Sequence, residues 1–156
     1  IAFVPPLPLI KKREQLEDWA RAVLNTATSY YKLLSQGVLR EDARYVLADS
    51  VRTRIVVTMN ARELVQVFLP LRMCTKAQWE IRYIAWSLWQ ELTKIHPQLF
   101  RWAGPSCVYR ENTSRWEPKP LEDYMSGKTQ FTIPRCPELV ENKAIPSCLK
   151  VARIQP

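Results

Sequence analysis

Four polar residues between positions 44 and 72 are the best candidates for binding chemistry in this sequence. They are Arg44, Asn60, Arg62 and Arg72, and they fall in a stretch whose apolar core does not need them. A guanidinium group offers paired N–H donors that match two phosphate oxygens at once. Asn60 precedes a predicted helix, whose first N–H groups also suit an anion. This set of residues predicts a ligand that carries phosphate.

The competing interpretation is an ordinary surface, on which these arginines pair with neighbouring carboxylates such as Glu63 and Glu80.

Other catalytic chemistries have little support. Only three glycines are present, which argues against a glycine-rich phosphate loop. The single histidine, His96, precedes a proline at a predicted helix end, which is typical of a capping or surface residue.

The composition is that of a folded, basic protein. The 156 residues are 47% apolar and 24% charged, which argues against disorder and predicts about one domain. The formal net charge of +8 favours an anionic partner. No apolar run approaches the roughly 18 residues of a membrane-spanning helix, so we expect a soluble, cytoplasmic protein. The chain begins with Ile1 instead of methionine, which is consistent with a missing N-terminal part.

Apolar periodicity and turn residues predict helices in the first half of the chain. An amphipathic helix should run from Lys11 and end near Gly37, the expected glycine just after a helix. Shorter helices should cover residues 40–47 and 61–68. Between them, the β-branched run in residues 51–59 predicts a strand or a buried extended segment.

The second half combines a long helix with a proline-rich tail. Pro70 should interrupt the preceding short helix, and residues 75–95 are apolar around most of the helix, which predicts burial at a subunit interface. Residues 105–156 hold seven of the twelve prolines and predict an irregular tail packed on the core. The expected fold class is α+β, mainly helical with a small β component, preceded by an extended segment over residues 1–10 and centred on residues 11–104.

Four short blocks follow one another between residues 41 and 82. They are Glu41-Asp42-Ala43-Arg44-x-x-Leu47, Thr58-Met59-Asn60-Ala61-Arg62-Glu63-Leu64, Leu71-Arg72 and Ala77-Gln78-Trp79-Glu80-Ile81-Arg82. Their order and spacing resemble the C-terminal half of flavin-dependent thymidylate synthases. The resemblance extends over roughly residues 16–107 and is weaker beyond them.

The resemblance implies a homotetramer that binds FAD and dUMP at subunit interfaces. The family transfers a methylene group from methylenetetrahydrofolate to C5 of dUMP and yields dTMP, with NADPH as the reductant of the flavin. By position, the resemblance assigns five residues to FAD: Asn60, Arg62, Gln66, Leu71 and Lys76. It assigns Arg44 and Arg72 to dUMP, with Arg72 close to the pyrimidine and the flavin as the catalytic residue.

Departures from the family pattern limit what this chain is expected to do alone. The family's signature Arg-His-Arg-x-x-Ser-x-Asn-Glu is not in the sequence, so we expect an N-terminal half to be missing and the chain to be inactive by itself. Lys76 stands where many members have a flavin-contacting histidine, and the stretch from Asn60 to Arg72 is one residue longer than usual, which affects Gln66. The alternatives are a non-catalytic basic helical module for nucleic acid or a protein partner, and an oligomerisation unit.

The four cysteines, Cys74, Cys107, Cys136 and Cys148, contain no close pair with the spacing of metal ligands. One hypothesis places all four thiolates around a structural zinc that ties the tail to the core. The other interpretation is isolated, reduced thiols. An even count also permits two disulfides, although thiols inside cells are normally reduced.

Overall fold

The computed structural model describes residues 1–153, which form two compact units. The first unit is Ile1–Val57, and the second begins at Thr58. Both are helical, and the β-pairing in the described residues consists of two isolated bridges, Phe3 with Val51 and Arg135 with Glu141. No helix within residues 1–153 is long and apolar enough to cross a membrane. The fold is therefore mainly helical, as predicted, but the expected β component is not confirmed.

Helix α2, Arg13–Ser35, is the main element of the first unit. It ends where the sequence predicts, because Gly37 adopts a left-handed backbone with φ of +85°. The N–H of Gly37 donates to the carbonyl of Leu34 at 3.0 Å, and that of Val38 donates to the carbonyl of Leu33 at 3.1 Å. This pair of bonds satisfies carbonyls at the helix end and forms a Schellman motif.

Two short helices flank α2. Helix α1, Leu7–Ile10, lies within the segment that was predicted to be extended, and Pro8 fits in its first turn, where a proline loses no hydrogen bond. Helix α3, Arg40–Ala43, continues as a 3-10 turn over Arg44–Val46. The helix predicted for residues 40–47 is thus confirmed, with a tighter last turn.

Residues 51–59 do not form the predicted strand. After the bridge at Val51 the backbone is irregular, and the side chains of Ile55, Val56 and Val57 are 78%, 97% and 61% exposed. β-Branched residues favour an extended backbone, but a strand also needs a neighbour to satisfy its N–H and C=O groups. The described residues provide no such neighbour, so the prediction of a strand or buried segment was wrong.

The second unit starts with one continuous helical stretch and the long helix α6. The stretch consists of α4, Ala61–Glu63, a π-helical turn, Leu64–Phe68, and α5, Leu69–Arg72. Helix α6 covers Trp79–Ile95, and α7 follows at Pro97–Phe100. The long helix is confirmed, although it begins at Trp79 instead of near Thr75. His96 lies between α6 and α7 and is exposed, as expected of a residue at a helix end.

Pro70 does not interrupt this helical stretch, contrary to the prediction. A proline breaks a helix interior because it has no N–H group to donate. Pro70 lies in the first turn of α5, directly after the π-helical turn. The N–H of Leu69, the residue before it, donates to the carbonyl of Leu64 in the wider π register, so the regular α-helical pattern is already interrupted there and the stretch continues to Arg72.

The C-terminal third is largely helical, so the prediction of an irregular tail was wrong. It contains α8, Ser106–Ser114, α9, Leu121–Ser126, a 3-10 turn, Asn142–Ala144, and α10, Ile145–Arg153. Pro105 and Pro120 immediately precede α8 and α9, and Pro146 is the second residue of α10. These prolines mark helix starts, where their fixed φ is favourable, and they were misread as loop signals.

One hydrophobic core joins this tail to the helices before it. Its most buried members come from α5 and the residue after it, from α6 and from the tail. They include Leu69, Met73, Trp86, Trp89, Leu121, Tyr124, Ile145 and Leu149. The rings of Trp86 and Trp89 meet edge to face, with centroids 5.8 Å apart. Residues of the tail therefore share one core with α5 and α6. Helix α6 is buried on one side only, because Tyr83 and Ile84 on it are exposed.

A buried carboxylate holds the tail together. Glu111 on α8 is fully buried, and it accepts hydrogen bonds from the N–H and hydroxyl of Thr132, from the N–H of Ile133 and from Nε of Arg115. Burial raises the pKa of Glu111, but these hydrogen bonds outweigh burial and keep the pKa below its usual range. The side chain is therefore a buried, charged carboxylate that accepts hydrogen bonds from four donor groups.

Candidate functional site

Asn60 begins the helical stretch that carries most of the predicted site residues. Its backbone is extended, with φ of −77° and ψ of 162°, and its Oδ1 accepts a hydrogen bond from the N–H of Glu63 at 2.8 Å. This is the geometry of an N-cap, as the sequence predicts. The stretch then carries Arg62, Gln66 and Arg72 on one backbone that is about 18 Å long at 1.5 Å per residue.

A π-helical turn lies between Asn60 and Arg72, in the stretch that the family resemblance predicts to be one residue longer than usual. It spans Leu64–Phe68 and has α-helix on both sides. A π turn inserts a residue into a helix without breaking it, and such turns are frequent at functional sites. A stretch one residue longer than usual can therefore stay helical. Gln66 lies inside the turn and is exposed.

Side chains from α6 and α8 hold the backbone between Pro70 and Ala77 at four carbonyl groups. The bonds run from Ser106 Oγ to Pro70 O (2.9 Å), from Trp86 Nε1 to Met73 O (3.0 Å), and from Arg82 Nη1 to Thr75 O (3.0 Å) and Ala77 O (3.1 Å). We call residues 70–77 the clamped segment. Because each bond is to the main chain, the clamp restricts the backbone that carries Arg72 and Lys76.

Three basic side chains of this region are available to a ligand. Arg62, Arg72 and Lys76 are all exposed, and the ion pairs observed within residues 1–153 involve other residues. Glu80, a predicted partner of these arginines, instead accepts a hydrogen bond from Gln78 at 2.7 Å. The interpretation as paired surface arginines is therefore wrong for the described residues. Leu71 is 55% exposed beside Arg72 and adds an apolar surface.

Arg44 belongs to the first unit, Ile1–Val57. It begins the 3-10 turn after α3 and is exposed. Its neighbour Ala43 is fully buried, which holds this turn in place. The assignment of Arg44 to a phosphate group stays a prediction.

Arg82 is a contributor to this site to which sequence reasoning assigned no role. Its guanidinium reaches back from the first turns of α6 to the two carbonyls at the end of the clamped segment. A signal was present in the sequence, because Arg82 is a lone cation in the first turns of a largely apolar helix. Arginine there can satisfy carbonyl groups of the preceding turn.

The four cysteines converge around one small cavity of about 20 Å³, although they are far apart in the sequence. All four are free thiols. A zinc site requires thiolates at about 2.3 Å from one point. Within residues 1–153, no three side chains of the ligand types His, Cys, Asp and Glu are grouped closely enough to hold a metal ion. The zinc hypothesis for these cysteines is therefore not supported.

Comparison with known proteins identifies the family. The family model described as thymidylate synthase complementing protein matches residues 2–98, which is more than half of the chain. The chain therefore belongs to this family, and the resemblance that the sequence blocks predict is confirmed. No solved structure gives a significant match.

Curated relatives with similar sequences carry the name flavin-dependent thymidylate synthase. The protein of Aeropyrum pernix is 63% identical over 151 residues, which are 97% of this chain and 46% of that protein. The protein of Sulfolobus acidocaldarius is 45% identical over 150 residues, or 96% of this chain and 56% of that protein. The protein of Pyrococcus furiosus is 43% identical over 111 residues, which are 68% of this chain and 45% of that protein. The chain thus spans about half the length of the curated relatives it matches.

Proposed function

We propose that this chain is the C-terminal half of a flavin-dependent thymidylate synthase and contributes to its FAD and dUMP sites. The observation that carries the proposal is the 63% identity, over 97% of the chain, to the Aeropyrum pernix protein of that name. The whole enzyme would transfer a methylene group from methylenetetrahydrofolate to dUMP and form dTMP. FAD, when bound, would supply the hydride with NADPH as its reductant.

The residues proposed for FAD suit the two chemical parts of that molecule. Its pyrophosphate needs cationic donors, and Arg62 and Lys76 are exposed without an observed ion pair. Its ring system needs an apolar surface with a few polar groups, which Leu71, Gln66 and Asn60 provide. Lys76 would contact phosphate in place of the usual histidine.

The proposed dUMP residues are Arg44 and Arg72. The guanidinium of Arg44 would bind the phosphate through paired N–H donors. Arg72 would lie beside the pyrimidine and stabilise negative charge that develops on the ring during transfer to C5. The clamped segment supports this catalytic role, because a group that acts on a transition state must be held in place before the reaction.

The proposed assembly is a cytoplasmic homotetramer completed by the half of the enzyme that carries the signature motif. Tyr83 and Ile84 lie on the face of α6 that this chain leaves exposed, at 45% and 53%. We place a subunit contact at this face, because adjacent exposed apolar residues on a long helix favour association.

The experiment compares the 156-residue chain with the same chain fused behind the upstream half of the Aeropyrum pernix protein. Flavin absorbance, equilibrium binding of dUMP and formation of dTMP are measured for both. The Arg62→Ala and Arg72→Ala variants are tested in the fusion, and Arg110→Ala is the matched control, since Arg110 is exposed on α8 outside the proposed sites.

We expect the fusion to bind flavin and form dTMP. Loss of one charge-assisted contact should weaken FAD binding in Arg62→Ala, and dUMP binding in Arg72→Ala, by about 10-fold or more, with little change in Arg110→Ala. A folded fusion that binds neither ligand contradicts the proposal. So does binding to DNA or RNA that falls steeply with salt while dUMP has no effect, because that result supports the nucleic-acid module.

A further inference from the structure

All of the chain's cysteines border a single cavity in the second unit. Cys74 belongs to the clamped segment, Cys107 is the second residue of α8, Cys136 follows the bridge at Arg135, and Cys148 lies on α10. The rest of the lining is mostly apolar and includes Val140, Ile145 and Leu149. Four thiols from segments that are far apart in the sequence therefore lie around one small space, where they can react with one another.

Cys107 and Cys136 form the more buried pair, each 8% exposed. Burial, and next the charge of a neighbouring Cys136 thiolate, raise the pKa of Cys107 to about 12. Both side chains line the same cavity, where their thiols face a shared space. Sγ of Cys136 also accepts a hydrogen bond from the N–H of Val140 at 3.3 Å, which fixes the position of the Cys136 side chain.

Cys74 and Cys148 form the more accessible pair, with partly exposed side chains. Sγ of Cys148 is 3.3 Å from the hydroxyl of Thr75, the residue that follows Cys74. This contact brings α10 against the clamped segment at the position of Cys74. Cys107 and Cys136 both belong to the tail, whereas the contact of Cys148 with Thr75 connects the tail to the clamped segment.

We propose that the four cysteines form two disulfide bonds, Cys107–Cys136 and Cys74–Cys148, by exchange with a small-molecule disulfide such as oxidised glutathione. The inference does not depend on the proposed function. The first bond links two parts of the tail, and the second links α10 to the clamped segment two residues after Arg72. Oxidation would thus secure the segment that carries Arg72 and Lys76.

Each bond forms by two exchange steps. The Cys136 thiolate attacks one sulfur of the oxidant and releases one glutathione thiolate, which takes up a proton. Cys107 then loses its proton and attacks the Cys136 sulfur of the mixed disulfide, which releases the second glutathione. Two cysteine thiols are oxidised to one disulfide, and one oxidant disulfide is reduced to two thiols. Cys148 and Cys74 react in the same way.

The four cysteines fall in different tryptic peptides, so mass spectrometry can assign the pairing. The folded 156-residue chain is incubated with oxidised glutathione, quenched, labelled with N-ethylmaleimide in denaturant and digested. We expect Trp102–Arg110 linked to Cys136–Lys143, and Met73–Lys76 linked to Ala144–Lys150. Labelling of all four thiols after oxidation overturns the proposal, as do other pairings. Thiols that resist labelling until a chelator removes stoichiometric zinc would also overturn it.

A variant pair separates the two bonds. Cys107→Ala with Cys136→Ala should lose the first linked peptide pair and keep the second, and Cys74→Ala with Cys148→Ala should do the reverse. Alanine preserves a small apolar side chain at each position, so the fold should persist. Oxidation should raise the Tm of the wild-type chain by about 5–15 °C, and by less in either double variant. An equal Tm for the oxidised and reduced wild-type chains contradicts the proposal.

Discussion

The indole Nε1 of Trp86 donates a 3.0 Å hydrogen bond to the carbonyl oxygen of Met73. Trp86 is 3% exposed and Met73 is fully buried, so the bond lies inside the core. Met73 directly follows Arg72, and the same bond therefore fixes the backbone at the end of α5. The proposed catalytic arginine is held by the core of the second unit, although its own side chain is exposed.

Replacing Trp86 by phenylalanine tests this support. The Trp86→Phe variant keeps an aromatic ring but leaves the carbonyl of Met73 without its donor, so we expect a loss of about 1–3 kcal/mol of unfolding free energy in urea titrations. In the fused enzyme it should also weaken dUMP binding, because the backbone next to Arg72 becomes less restricted.

Trp89→Phe is the matched control for that variant. Trp89 is equally buried on the same helix, but its Nε1 donates to the carbonyl of Phe100 at 2.9 Å, away from the clamped segment. We expect a similar loss of stability without the loss of dUMP affinity. Equal effects of both variants on dUMP binding would contradict the role assigned to Trp86.

Arg82→Met should loosen the turn that carries Lys76. Methionine retains much of the apolar stem, while the two hydrogen bonds to Thr75 and Ala77 are lost. Local opening should become about 10-fold more frequent, so trypsin should cleave the native chain faster after the exposed Lys76. Mass spectrometry of timed digests measures this rate. Arg110→Met is the control. Cleavage at the same rate in both variants would show that the hydrogen bonds of Arg82 do not restrict the backbone around Lys76.

Local signals in the sequence predicted the elements that depend on short-range chemistry. The end of α2 at Gly37 and the cap at Asn60 follow from the conformations and hydrogen bonds available to single residues. The helix around Trp86 follows from apolar periodicity. The candidate site residues came from the spacing of the sequence blocks. The match to residues 2–98 shows the family, and the roles of the individual residues stay predictions.

Features that depend on partners distant in the sequence could not be predicted in this way. The run at Ile55–Val57 has the propensity of a strand, but pairing is a tertiary property. The tail was misread because proline favours both loops and the starts of helices. Pro105 and Pro120 directly precede α8 and α9, so here they mark helix starts. The hydrogen bond from Arg82 to Thr75 depends on a turn between Thr75 and the start of α6 at Trp79. The sequence predicted that these residues continue the helix.

The Ile84→Glu variant tests the proposed subunit contact on α6. Ile84 is 53% exposed, and a buried charge at an interface would oppose association. We expect a lower oligomeric mass in sedimentation analysis of the fused enzyme and an unchanged helical circular dichroism spectrum. Leu99→Glu is the control, because Leu99 on α7 has nearly the same exposure, 54%. An unchanged mass for Ile84→Glu would place the contact elsewhere.

Glu111→Gln should make the tail less stable at neutral pH and less sensitive to acid. The pKa of Glu111 is held below its ordinary value of 4.5, so the charged form contributes stability above that value, which is lost as the pH falls through the folded pKa. At pH 7 the variant should lose about 3 kcal/mol, because an amide places N–H groups against the donors of Thr132 and Ile133.

Urea titrations at pH 7 and about pH 3 measure this dependence. The difference in unfolding free energy between the wild-type chain and Glu111→Gln should narrow at the lower pH, since the unfolded wild-type chain then binds a proton that the folded carboxylate, with its lowered pKa, resists. If Glu111→Gln does not fold, Thr132→Val serves instead, because it removes only the 2.7 Å hydroxyl bond and should cost about 1–2 kcal/mol. A difference in unfolding free energy that stays constant with pH would show that Glu111 does not stabilise the tail through its charge.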